Sequence, residues 1–162
     1  MRIAVRFLNL LFVLVLAGCG GGILLDTEDI VEFPDEGRLH VAEGTPITYN
    51  TDPPTSGTHY PVPQDGGFYT REILPGYLVH SMEHGAIIIY YNSTVTQAQQ
   101  DEIRNILTPH LGNFATVIAL PRNDPDYAII LTAWSHWQRL RTYDSNKIRD
   151  FIDLRLGKGP EN

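Results

Sequence analysis

The second half of the chain alternates apolar β-prone runs with amphipathic helical ones, and that order leaves few folds open. Residues 86–91 read Ala-Ile-Ile-Ile-Tyr-Tyr, the pattern of a strand covered on both faces. Thr96 and Gln99 have the spacing of a capping box. Ile103, Ile106, Leu107 and His110 then share one helical face, and Pro109 and Gly112 end the helix. Residues 115–120 form a second apolar run, residues 121–126 a turn, and residues 127–134 a third run. Asp144 or Ser145 caps a last helix with Ile148, Phe151, Ile152 and Leu156 on its inner face, closed by Gly157. Two strands joined through a helix should be parallel with a right-handed crossover, and two joined by a short turn should be antiparallel. The expectation is one α/β sandwich domain with a mixed sheet, in the order strand, helix, strand, strand, helix.

In outline this order resembles the second half of a thioredoxin-like fold, without the cysteine pair of that fold. The chain has one cysteine in 162 residues, which rules out an internal disulfide framework. Residues 39–49 suggest one or two short strands split by Gly44 and Pro46. Residues 50–77 are dense in proline and glycine. A long stretch without a periodic element inside a compact domain is usually functional or disordered. Tyr60, Phe68, Tyr69 and Tyr77 favour an ordered, functional loop.

The N-terminus reads as an address. Arg2 and Arg6 precede an apolar run over residues 8–16 that is too short for a comfortable membrane span and has the length of a signal-peptide core. The run ends in Leu16-Ala17-Gly18-Cys19, which resembles the lipobox of bacterial lipoproteins. That resemblance implies removal of residues 1–18 and lipidation of Cys19 by acyl chains, palmitate among them. Residues 19–38, with the run Gly20-Gly21-Gly22 and several acidic residues, then read as a lipidated flexible tether, and residues 39–162 as the domain. The expected location is the bacterial cell envelope, on a membrane with the domain outside the cytoplasm. The formal charge of −7 argues against a nucleic-acid partner and leaves the anchor as the membrane link. A protein partner is expected, of unknown identity.

Two segments carry the candidate chemistry: Asp52-Pro53-Pro54-Thr55-Ser56-Gly57-Thr58-His59-Tyr60 and Leu78-Val79-His80-Ser81-Met82-Glu83-His84-Gly85-Ala86. With the strand that follows, they resemble a bacterial family designated domain of unknown function 3105, and Thr132-Ala133-Trp134 resembles its C-terminal strand. The resemblance spans roughly residues 45–156 and implies no reaction. In some bacteria members of that family lie near copper-handling genes, so the resemblance places copper before zinc.

The residues themselves point to a metal. Imidazole is the commonest transition-metal ligand at neutral pH. If residues 78–84 are helical, His80 and His84 stand at i and i+4 on one face, and His59 from the Pro-Gly loop adds a third corner. Met82 then points away, and Glu83 is an extra ligand or a partner of the ligands. Tyr60 and, more distantly, Tyr90 and Tyr91 support the site from behind. If the segment is extended, His80 and His84 lie about 13 Å apart and cannot share an ion. Met82 with one histidine would then favour copper. The Gly85 break before a strand favours a short helical turn.

His40, His110 and His136 are weaker candidates, His136 being expected at a loop edge between Trp134 and Trp137. Against the metal reading stands a non-metal binding module whose histidines are structural. A third reading is a zinc hydrolase, since His80-Ser81-Met82-Glu83-His84 matches the His-x-x-Glu-His arrangement of inverted zinc peptidases. No nucleophile triad is apparent. Ser56, Thr55 and Asp52 are expected to hydrogen-bond backbone and fix the turn. The leading expectation is a non-enzymatic lipoprotein that captures or delivers copper or, second, zinc through His59, His80 and His84.

Overall fold

The computed structural model describes residues 28–161. The signal-peptide segment, Cys19 and the glycines after it lie outside them. No helix of the described residues is long and apolar enough to cross a membrane.

Ten elements follow one another: β1 (Val31–Glu32), β2 (Gly67–Phe68), α1 (Pro75–Glu83), β3 (Ile87–Tyr91), α2 (Gln97–Leu107), a 3-10 turn (Thr108–His110), β4 (Val117–Pro121), β5 (Ile129–Ala133), β6 (His136–Leu140) and α3 (Ser145–Arg155). The strands form one mixed sheet in the order β1-β6-β5-β3-β4-β2. β3 and β4 are parallel and joined through α2, as their sequence requires. α2 starts on the capping box: Thr96 accepts from the Gln99 N–H while the Gln99 side chain accepts from the Thr96 N–H. Asp144 caps α3 by accepting from the N–H groups of Asn146 and Lys147.

β3 is buried at all five positions because it is the middle of three layers. Ile87, Ile89 and Tyr91 face a cluster that includes Ile103 and Ile106 of α2 and Ile148, Phe151 and Ile152 of α3. Ile88 and Tyr90 face the opposite cluster, with Leu78, Val79 and Met82 of α1. The two-residue period of a strand divides its side chains between these faces.

Three expectations are corrected. β4 and β5 are not a hairpin pair. β5 lies on the other side of β3, antiparallel to it, and pairs with β6. The connection of residues 122–128 is long enough to step over one strand, about 10 Å at ordinary strand spacing. A strand as apolar as β3 gains a ladder on each edge that way. Residues 39–49 form no strand pair; they contribute only an isolated parallel bridge between His40 and His59. His136 opens a strand, β6, instead of lying at a loop edge.

Part of the segment expected as tether is built into the domain. β1 pairs with β6, Phe33 sits edge-on to Trp137 at 4.5 Å, and Asp35 accepts the Trp134 indole N–H at 3.1 Å. Ser135, at φ 58° in the β5–β6 turn, ties two loops at once: its N–H donates to the Thr55 carbonyl and its carbonyl accepts from Phe33. The Pro-Gly segment is correspondingly packed in, with residues 53–57 buried.

Candidate metal centre

The segment that carries His80 is helical, so the extended alternative falls. Leu74 precedes α1, Pro75 opens it, and His84 ends it with its N–H donating to the His80 carbonyl. Proline at a helix start loses no hydrogen bond and presets φ. The apolar face made by Leu78, Val79 and Met82 binds α1 to the sheet, which turns His80 and Glu83 toward the Pro-Gly loop. Met82 is fully buried in that core and takes no part in the cluster.

The loop meets α1 through a close contact of main chain and ring. The Tyr60 N–H donates to the Gly76 carbonyl at 3.2 Å. A Cβ at Gly76 would stand 2.6 Å from the Tyr60 ring, so only glycine lets Tyr60 lie on the helix start. Tyr60 is buried there and its hydroxyl donates to the Thr45 carbonyl. Its own carbonyl accepts a hydrogen bond from His80 Nδ1 at 2.6 Å. Likewise His59 Nδ1 donates to the Gly57 carbonyl at 2.8 Å. In a neutral imidazole with Nδ1 protonated, Nε2 holds the lone pair. Both rings are thus fixed in the tautomer that presents Nε2 as a ligand, the usual arrangement behind a metal-bound histidine.

The three histidines gather around a carboxylate. One nitrogen each from His40, His59 and His80 and one oxygen of Glu83 lie within 4.8 Å of one another. Glu83 Oε2 is 3.0 Å from His59 Nε2 and 3.8 Å from His40 Nε2. His59 and Glu83 are sealed from solvent, whereas the His40 side chain is 45 % exposed and forms the open side. Ligand nitrogens and oxygens sit about 2.0–2.2 Å from a zinc-sized ion, so opposed atoms stand no more than about 4.4 Å apart. The four ligand atoms lie within 4.8 Å of one another, so they would draw together to hold one ion, and the exposed side chain of His40 leaves it room to move.

The group is electrostatically uncompensated among the described residues. Both carboxylate oxygens of Glu83, and His59 Nε2, are buried without a hydrogen-bond partner. The 3.0 Å approach of His59 to Glu83 is within reach of a hydrogen bond, yet its direction forms none. A buried carboxylate without compensation costs several kcal/mol. Burial also pushes the His80 pKa below its ordinary value, against the raising effect of the Tyr60 carbonyl; the neighbouring histidines push it further down. His80 therefore stays neutral, the form that binds metal.

His84 stands beside this group without joining it. Its Nε2 is 2.9 Å from His80 Nε2, and its ring lies edge-on to the exposed Phe114 at 4.7 Å. It lines a cavity of about 320 Å³ with Ser81, Gln64 and Phe114. The helical i, i+4 relation placed it near His80; the turn at Gly85 then carries it outward. In the inverted-peptidase arrangement His80 and His84 would bind the ion with Glu83 behind it. Here Glu83 stands among the four converging groups and α1 is nine residues long.

His40 is the residue that sequence reasoning ranked among the weaker candidates and the structure brings into the group. Nothing in its local pattern marks it, because only the bridge to His59 brings it in, with ring centroids 4.5 Å apart. Of the remaining residues, Ser56 accepts from the Glu36 N–H and Thr55 accepts from Ser135 through its carbonyl, both fixing the loop. Asp52 pairs with Arg122 at 2.7 Å. His110 ends the 3-10 turn away from the cluster. Tyr90 is in the core, and Tyr91 donates to the Tyr69 carbonyl.

A family model described as Protein of unknown function (DUF3105) matches residues 40–162, and the chain belongs to that family. No curated protein and no solved structure matches the chain.

Proposed function

We propose that the domain binds one divalent transition-metal ion through His40, His59, His80 and Glu83, and that it serves to capture or deliver that ion. The observation that carries this reading is Glu83. Its carboxylate is buried with both oxygens unpartnered, and three imidazoles surround it. A dication supplies the missing charge and uses every lone pair on offer. The donor set is three nitrogens and one oxygen, which suits copper(II), zinc, nickel or iron. Copper(II) binds such donors more tightly than zinc does, which ranks it first and zinc second. With Met82 in the core, no sulfur donor among the described residues favours copper(I).

The same histidines support a second reading, a binding module without metal. Their Nδ1 bonds to Gly57 and Tyr60 hold the Pro-Gly loop on α1 whatever occupies the centre. One measurement separates the two. Residues 20–162 without a histidine tag are loaded with copper(II) or zinc, dialysed, and assayed for metal. One equivalent is the expected result; values near zero for both metals overturn the metal reading and leave the second.

We place the protein on a membrane of the bacterial cell envelope, anchored through lipid on Cys19, on the strength of Leu16-Ala17-Gly18-Cys19. The thioredoxin-like outline is supported by the order β4-β3-β5-β6, with β3 and β4 parallel and β5 and β6 antiparallel. It is a likeness of architecture alone, since the single cysteine leaves no redox pair.

A further inference from the structure

We propose that His84 is the exchange residue of this centre: it occupies the lone pair of His80 while the ion is absent, and takes hold of the ion as it enters or leaves. The proposal rests on the metal reading above and adds a route to it.

Proton placement decides the starting state. A carbonyl only accepts, so the 2.6 Å contact with the Tyr60 carbonyl places the His80 proton on Nδ1. His80 Nε2 then carries a lone pair. The 2.9 Å contact between the two Nε2 atoms requires one hydrogen between them, and it must come from His84. The metal needs the same lone pair. Ion and His84 therefore compete for one pair of electrons on His80.

The other side of His84 fits the second state. Its Nδ1 is buried without a partner and lies 3.8 Å from a carboxylate oxygen of Glu161. In its other tautomer His84 carries the hydrogen on Nδ1 and a lone pair on Nε2, so the ring is a ligand of unchanged charge. The new N–H then faces Glu161. Two nitrogens 2.9 Å apart can bind one ion together, subtending about 90° at bond lengths of about 2.0–2.1 Å. His80 thus belongs to two overlapping positions, an inner one with Glu83 and an outer one with His84.

The outer position leads to the surface. Ring centroids follow one another at 5.0 Å from His59 to His80, 4.8 Å from His80 to His84, and 4.7 Å from His84 to Phe114. The first ring is fully buried and the last is 66 % exposed. The cavity of about 320 Å³ beside His84 has room for a competing donor ligand to meet the ion.

The test compares wild type with His84→Ala and His84→Gln, each loaded with copper(II). Affinity is measured at equilibrium, and release is followed after mixing with excess EDTA. The expected result is release slowed by about tenfold or more in both variants, with affinity in His84→Ala unchanged or tighter. Glutamine keeps a donor to His80 and the side-chain bulk, so it carries the test if alanine lowers the melting temperature of the metal-free domain. Release at the wild-type rate or faster overturns the proposal, as for a residue that only covers the site. A loss of affinity of about tenfold or more in His84→Ala also overturns it, showing a permanent ligand. In either case wild type still binds one equivalent and the metal reading stands. A wild type that binds no copper overturns both.

Discussion

Glu83 Oε2 and His59 Nε2 stand 3.0 Å apart in a space sealed from solvent, and no hydrogen bond joins them. One comes from the C-terminal turn of a helix, the other from a loop bridged to His40. The fold holds them face to face at an electrostatic cost.

Replacing Glu83 by glutamine should therefore act in opposite directions on the two states. Metal affinity should fall by about tenfold or more. The metal-free domain should melt higher, because an uncompensated buried charge has been removed. Paired metal-binding and thermal-unfolding measurements check both signs. A lower melting temperature without metal would show that His59 already neutralises Glu83.

Met82→Leu should leave metal stoichiometry unchanged and cost less than about 1.5 kcal/mol, since it conserves volume in the core beneath α1. Met82→Ala should cost about 2–5 kcal/mol through the cavity it leaves. Neither should alter affinity in a domain that remains folded. A selective loss of copper in the leucine variant would place sulfur in the centre.

Acid should weaken the metal-free domain through His80. Burial lowers its folded-state pKa below the ordinary 6.5. The unfolded chain then binds the proton first as the pH falls. The contribution is fully present above about pH 6.5 and is lost on acidification toward the lower folded value. Urea midpoints measured from pH 7.5 to 5 should fall more steeply for wild type than for His80→Gln. Equal slopes would assign the acid sensitivity to other groups.

A main-chain clamp closes the end of α1. Gly157 donates to the Gly85 carbonyl, Glu161 donates to the Glu83 carbonyl, and a Cβ at Gly159 would overlap that same carbonyl. Gly159→Ala should cost about 1–3 kcal/mol by forcing the tail away. It should also loosen the metal site, because the tail fixes the residue that supplies the carboxylate. An unchanged melting temperature would mean that the tail bears no load.

Phe33→Ala should destabilise the domain by about 1–2 kcal/mol, as loss of an aromatic pair and partial burial against Trp137. Trp134 and Trp137 fluorescence reports the change directly. A chain starting at residue 39 should lose more, since β1 and the Asp35 contact go with it.

The elements with strong periodicity were legible in the sequence. Thr96 and Gln99 announced α2, Asp144 announced α3, and the run of isoleucines announced β3. The neighbour of β5 was not legible, because a seven-residue connection permits either a hairpin or a step across one strand. β6 escaped notice because His136, Gln138 and Arg139 dilute its apolar pattern in a strand that is only partly buried. His59, His80 and Glu83 could be gathered from local spacing and an unusual loop. His40 could not, since its place depends on one bridge across nineteen residues of chain.

Both outer strands of the sheet, β1 and β2, are two residues long. A six-stranded sheet of apolar strands would otherwise present open ladders to its neighbours. Two-residue margins give an incoming strand almost nothing to extend. Copies that meet edge to edge can then collide without zipping into a continuous sheet.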